Sequence, residues 1–390
     1  MLSRLKKKIY EDYIKLAITV QKMEKDYLKM MKNKYKLLND SLLWQNACNN
    51  RIQSIIGHTL INILGLDNVP LHWVKAHEGD FNRISSYLEE LDYIAKKFIE
   101  ENILLIILKN GGIARGIYPC PGCCPMGDLD VLVEKKHFLK AHQVLLYHGY
   151  HFEFRSPLEE PDIKVAEKSG GAEYWKILAN GNKLWFELQW RAVAGRWIRP
   201  EQEPSAKDLM GRSMSVSGTT VRILSPEDNL LQVSLHTAKH SYVRAPGIRL
   251  HTDVDRIVRY QLIDWNVFLK YVLDLQVKTA VYFSLIIPKA LFGTPIPNEI
   301  LVRLKPPVWK EKLISSWLKK AGLFNPDERK FGKLRYLLFN ILLYDDLNGL
   351  WKAVFPDRMW MKERYGFKNN LLLPAYYIGR LKDLLFRRIS

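Results

Sequence analysis

Apolar and polar positions fall into three regimes along the chain. Residues 1 to 100 carry apolar side chains at helical spacing: a lysine-rich amphipathic stretch from Ser3 to about Leu38, a second from Leu42 to Leu64, and a third from Asn82 to Glu101. Asp67 to Gly79, which contains Pro70, reads as the connector between the last two. From Ile103 to Leu224 short apolar runs alternate with turn residues, the pattern of an α/β core. Ile103 to Leu108 is continuously apolar and bounded by Lys109, Asn110, Gly111 and Gly112, which predicts a buried strand closing in a tight glycine turn. Further strands are expected near 151–155, 173–178, 184–190 and 220–224, with a helix near 136–148. Ser225-Pro226-Glu227-Asp228 combines an N-cap, a first-turn proline and early acids, predicting a helix through His240. Beyond it the chain reads as helical to its end. The expected regions are therefore an N-terminal helical part (1–101), an α/β core (102–224) and a C-terminal helical domain (225–390).

Within the core, Gly127 to Val133 (Gly-Asp-Leu-Asp-Val-Leu-Val) sets Asp128 and Asp130 two residues apart at the start of an apolar strand. Strand side chains alternate faces, so this pair points one way. Like charges aimed at one place repel unless a cation lies between them, which makes a hard-cation site the natural reading. A third acid is needed, because two-metal phosphoryl chemistry holds cations about 3.5–4 Å apart. Leu184 to Trp190 alternates in the strand manner and carries one acid, Glu187, the best candidate. Gly111 and Gly112 allow a backbone to approach a phosphate closely, with a short helix from about Ile113 to Tyr118 opening beside it.

These residues resemble a known superfamily. Lys109 to Tyr118, Asp128-Leu129-Asp130-Val131-Leu132-Val133, Gly149-Tyr150 and Glu187-Leu188-Gln189-Trp190 are similar to the nucleotidyltransferases of the DNA polymerase β superfamily. Within it they look most like a largely uncharacterised bacterial group whose pattern runs Leu-Lys-Gly, Asp-x-Asp-Leu-Leu-Val and Glu-Leu-His-Trp. His236 to His240 is similar to that group's His-x-x-Lys-His helix, and Arg249 to Ile257 to its Arg-Leu-x-x-Asp segment. Phe355-Pro356, Arg364-Tyr365-Gly366 and the Tyr377 to Leu385 helix look like its closing signature. The chain departs from the pattern in three places. Asn110 follows Lys109 where the group has glycine, Gln189 replaces a histidine, and an arginine usual before the Asp pair is missing, with Cys123, Cys124 and Pro125 in its region.

The resemblance implies an α+β fold: a polymerase-β-like mixed sheet with flanking helices, set between the two helical regions. It also implies a transferase using magnesium, with manganese as an alternative, held by Asp128, Asp130 and Glu187. Lys109, Gly111, Gly112, His236, Lys239, His240 and Arg249 are the expected nucleotide-binding residues. His236 and His240 share a helix face but lack the third ligand a zinc site would need. Arg249, Asp253 and Asp255 are explained equally well by ion pairing among themselves. The first reading is transfer of a nucleoside monophosphate from a nucleoside triphosphate to a hydroxyl or phosphate on a small molecule, sugar or modified peptide. Asp-x-Asp also serves sugar transferases, so a nucleotide-sugar donor is the alternative, and a catalytically degenerate binding protein is a third.

Composition adds limits. At 390 residues, with 47% hydrophobic side chains, the chain can bury a substantial core. The net charge of +18 is concentrated at the ends: residues 1–50 hold 11 Lys and Arg against 5 acids, and residues 300–390 hold 19 against 8. Such ends could attract nucleic acid, an anionic surface or polyphosphate, but no recognisable nucleic-acid module accompanies them, so specific nucleic-acid binding is not expected. No signal peptide and no transmembrane run is visible, and a cytoplasmic location is expected. Cys120, Cys123 and Cys124 form a Cys-x-x-Cys-Cys cluster, with Cys48 elsewhere. A tetrahedral zinc takes four ligands and the fourth is not evident, so free thiols are the expectation and a structural metal the alternative.

Overall fold

The protein is seen in a computed structural model that describes residues 38–386 apart from 157–160, 194–201, 324 and 367–368. The helix expected from Ser3 to about Leu38 thus lies almost wholly outside the described residues.

The N-terminal part is helical, with boundaries that differ from the expected ones. Asp40 caps α1 (Ser41–Asn49), its carboxylate accepting from the N–H groups of Leu42 and Leu43. Arg51 takes a left-handed φ of 54°, which breaks the expected Leu42–Leu64 helix and starts α2 (Gln53–Leu64) in a new direction. The expected connector is mostly helix: Pro70 N-caps α3 (Leu71–Glu100), a 30-residue helix that runs straight through Gly79. Glycine inside a helix costs only about 1 kcal/mol. The buried stripe Ile84, Leu88, Leu91, Ile94 and Phe98 recurs at three- and four-residue steps and offsets it. Near its start, Trp73 is fully buried against Leu38, Leu43 and Ile55 in a smaller satellite core.

The centre is a mixed sheet built from β1 (Ile106–Ile107), β2 (Asp128–Leu132), β3 (His151–Phe152), β4 (Gly171–Ile177), β5 (Lys183–Gln189), β6 (Met214–Ser215) and β7 (Arg222–Ile223). The spatial order is β3-β4-β5-β2-β1-β7-β6. The pairs β2–β5 and β1–β7 are parallel, and the other neighbours antiparallel. The expected α+β class with a mixed sheet and flanking helices holds. Between strands run α4 (Lys109–Gly116), α5 (Phe138–Tyr147), α6 (Ile163–Ser169) and α7 (Ala206–Arg212). The two-residue β6 and the seven-residue α6 and α7 are too short to leave a periodic signal, and the sequence pattern did not predict them.

The N-cap read from Ser225 is present: its hydroxyl accepts from the Asp228 N–H at 3.2 Å and opens α8 (Pro226–Lys239). Then come α9 (Arg249–Tyr260), α10 (Trp265–Asp274) and α11 (Lys278–Phe292), with further helices from Asn298–Leu304 to Leu373–Phe386. α8, α9 and α11 pack on one another and carry the main core onward from the sheet. Near the end, Tyr377 donates to the Pro356 carbonyl at 2.5 Å and its ring meets Phe355, which ties the two parts of the closing segment together. Among the described residues no helix is long and apolar enough to cross a membrane.

Candidate active site

Strand alternation builds the floor of the site. On β5, Leu184, Phe186 and Leu188 are buried in the core, so Trp185 and Glu187 face the other way. β2 runs parallel to β5 in a register that sets Asp130 beside Glu187 and Asp128 beside Trp185. Paired residues share a face, so Asp128, Asp130 and Glu187 lie together on one side of the sheet. β4 continues the row, because Glu173 is the cross-strand partner of Glu187. Glu173 is a fourth carboxylate that sequence reasoning missed. Its signal was its place on a strand of the right alternation, but only the β4–β5 pairing shows which acid it meets.

Cations and one amide hold this row. The Lys109 ammonium is paired with Asp130, which is nearly buried at 5% exposure. Gln189 donates to Asp130 Oδ1 and to Glu187 Oε2, each at 2.8 Å, so those two carboxylates converge on a single amide nitrogen. Arg155, just beyond β3, lies across the outer edge. Its Nη1 reaches Asp128 Oδ2 at 2.8 Å, its Nη2 is paired with Glu187 and lies 3.4 Å from Glu173 Oε1, and its backbone N–H donates to Glu173 at 2.6 Å. Arg155 was not anticipated. The sequence lacks an arginine just before the Asp pair, yet the fold brings one to the same acids from β3.

Lys109 begins α4 with a left-handed φ of 53°, an uncommon conformation for a side chain with a Cβ. Gly111 and Gly112 are not in a turn, which corrects the expected strand-to-glycine-turn: both are buried inside α4. A Cβ on Gly111 would come within 2.5 Å of Ile107 Cγ1, and one on Gly112 within 3.0 Å of the Ile107 carbonyl oxygen. The glycines therefore let α4 lie directly on β1, which points the helix start and Lys109 toward Asp130.

The last turn of α8 supplies the opposite wall. His236 and His240 rings meet edge to face at 4.8 Å, and the Lys239 ammonium reaches the Val193 carbonyl at 3.4 Å. Burial, reinforced by the charges of Lys109 and its neighbours, lowers the affinity of all three for protons. Lys239 is brought down to about 8 and His240 to about 3, while His236 falls well below the ordinary imidazole range. Both imidazoles are thus neutral at physiological pH. Arg249 is placed differently from the acids' other neighbours: its Nη1 donates to the Pro125 carbonyl at 2.5 Å, bracing the segment that leads into β2. Asp255 is paired with Arg259 at 2.9 Å and accepts from Thr294 at 2.6 Å, whereas Asp253 is buried and raised to about 6 by desolvation, against the pull of Arg249 and Arg256. The site as a whole is an anionic row on a sheet face, met by one arginine, two lysines and two neutral imidazoles.

A family model described as an uncharacterised nucleotidyltransferase matches residues 38–293, more than half of the chain. No curated protein matches the chain, and no solved structure does.

Proposed function

The chain belongs to this uncharacterised nucleotidyltransferase family, and from that premise we propose that it moves a nucleoside monophosphate from a nucleoside triphosphate to a hydroxyl or phosphate acceptor. The observation that carries the reading is the β2–β5 register, which gathers Asp128, Asp130 and Glu187 on one face. Their oxygen donors suit a hard divalent ion. Among the described residues the four carboxylates are directly ion-paired with Arg155 and Lys109 alone, which leaves negative charge for such an ion to balance. Asp128, Asp130 and Glu187 would hold magnesium, or manganese in its place. When bound, the metal stabilises charge on the entering and leaving oxygens of an in-line displacement at the α-phosphorus.

The chain's own groups do the rest. Glu187 accepts the proton of an attacking hydroxyl, and Gln189 keeps its carboxylate turned toward Asp130. Lys109 and Lys239 meet the charge of the departing pyrophosphate. Lys239 is suited to this because phosphate oxygens restore the favourable environment that burial removes. His236 and His240, being neutral, offer N–H groups rather than charge, orienting a phosphate or a carboxylate. Arg155, with a side chain 37% exposed, would turn from the carboxylates onto triphosphate oxygens, a bidentate contact suited to its geometry.

One observation favours a second reading, a non-catalytic scaffold: the same guanidinium bridges Asp128 and Glu187, so the protein supplies a cation of its own where metal would sit. The experiment is incubation with each nucleoside triphosphate and a panel of nucleotide sugars, with magnesium and a pool of candidate acceptors, followed by mass spectrometry. Nucleotidyl transfer releases pyrophosphate and adds a nucleoside monophosphate to an acceptor, and Asp128→Asn abolishes both while keeping the native circular dichroism spectrum. Nucleoside diphosphate released from a sugar donor replaces the proposal with glycosyl transfer. Undiminished turnover in D128N refutes the assigned roles.

A further inference from the structure

Cys120 N-caps and Cys123 ends a single 3-10 turn, Pro121–Cys123, closed by the Cys123 N–H to the Cys120 carbonyl at 3.0 Å. Two histidines from the N-terminal helices converge on it. His58 of α2 brings Nδ1 to 3.6 Å from Cys120 Sγ, and His77 of α3 brings Nε2 to 3.9 Å from the same sulfur. The donor atoms of His58, His77, Cys120 and Cys123 all lie within 4.8 Å of one another. With metal–sulfur bonds of about 2.3 Å and metal–nitrogen bonds of about 2.0–2.1 Å, neighbouring donors of a tetrahedral zinc are roughly 3.4–3.8 Å apart. The two Cys120–histidine separations are close to that and the other donor pairs lie within 4.8 Å, with no thiol–thiol bond formed.

We propose that His58, His77, Cys120 and Cys123 bind one structural zinc ion. Two nitrogen and two sulfur donors, four in number and all from protein, make a closed site of the kind zinc takes for structural ends, with no position for water or substrate. Cys124 stands outside it: its sulfur faces the Arg256 guanidinium at 3.6 Å. Two thiolates balance the dication, so the site needs no further counter-charge.

The surroundings are built to hold the ligands. Gly122 lies so close to α3 that a Cβ there would be 2.9 Å from His77 Cε1 and 3.0 Å from Phe81 Cβ. Its carbonyl accepts from the buried Ser54 hydroxyl of α2, and Arg256 of α9 donates to the Cys123 carbonyl. With Nδ1 on the metal, His58 carries its proton on Nε2, which lies 3.0 Å from Asn62 Nδ2; a flip of that amide places Oδ1 there to accept the proton and fix the ring. The ion would fasten α2 and α3 to the segment entering β2, five residues before Asp128, and so join the N-terminal helices to the strand bearing the acids. The inference is independent of the proposed reaction, since it rests on none of those acids.

The test begins with the full chain purified under reducing conditions, loaded with zinc, desalted and analysed for metal, with cobalt substitution as a second readout. The expected result is one zinc per chain, and in the cobalt form the thiolate charge-transfer and tetrahedral ligand-field bands of a two-sulfur, two-nitrogen site. Cys124→Ser keeps both signals, whereas Cys123→Ser and His77→Asn each lose at least half of the metal. Should those two variants fail to fold, the wild-type measurement decides: a zinc-selective chelator lowers the thermal midpoint and readdition of zinc, but not magnesium, restores it. A folded wild-type protein that takes up no zinc, a cobalt spectrum lacking thiolate bands, or unchanged zinc in folded His77→Asn each overturns the proposal.

Discussion

Replacing Arg155 with alanine exposes the electrostatic logic of the carboxylate row. The guanidinium faces Asp128, Glu173 and Glu187, so a divalent ion entering among these acids would displace it. With the arginine side chain 37% exposed, each contact has the worth of a solvent-screened pair, about 0.2–1 kcal/mol, and the set sums to about 1–2 kcal/mol. Removing a competitor of that strength should tighten magnesium binding by about 5- to 30-fold, a decade corresponding to about 1.4 kcal/mol. The same change leaves acids facing one another and should destabilise the metal-free protein by a similar amount. Calorimetric titration with magnesium at moderate ionic strength reads the first effect and denaturant unfolding the second. Arg155→Lys should fall between, because one ammonium cannot span the acids as a planar fork does. Magnesium affinity that is unchanged or weaker in R155A would refute the reasoning, since the arginine would then be part of a fixed scaffold and not a stand-in for metal.

Other consequences follow from the same geometry. Lys239 has its proton affinity depressed to about 8, so it loses charge as pH rises through that value. The KM for the triphosphate should climb above about pH 8, and Lys239→Arg, which stays charged, should show no such rise. Because the depressed lysine favours the unfolded state while protonated, stability should increase as pH rises from about 8 toward the ordinary lysine value, a trend seen by denaturant titration and abolished in Lys239→Met. Gln189→Leu removes the donor that joins Asp130 to Glu187, and at about 1.5–3 kcal/mol for hydrogen bonds to charged groups kcat/KM should fall about 10- to 100-fold. Gly111→Ala forces a methyl onto Ile107 and should cost about 1–3 kcal/mol in unfolding experiments, whereas Gly79→Ala, which meets nothing, should stabilise by up to about 1 kcal/mol.

What the sequence disclosed and what it withheld divide along physical lines. That Asp128, Asp130 and Glu187 share one face was readable because strand alternation is a local rule and each acid interrupts an apolar pattern. The Ser225 cap and the helix after it were readable for the same reason. Arg155, Glu173 and the pairing of His58 and His77 with Cys120 and Cys123 were not, since each depends on which segments become neighbours, and His58 and His77 sit on two helices with no spacing rule between them. Gly111 and Gly112 misled in an instructive way. Glycine permits a turn and also permits a helix to lie against a strand, and the tight approach of α4 to Ile107 selected the second use. The departure at Gln189 gained meaning only from β2–β5 pairing, which turns a substituted residue into the link between two acids.

The most direct test is calorimetric binding of nucleoside triphosphates to the wild-type protein and to Asp128→Asn, with and without magnesium. The account predicts binding that requires magnesium and is lost in D128N. Equal binding by the two proteins, or none by the folded wild type to any triphosphate in the presence of magnesium, would contradict it.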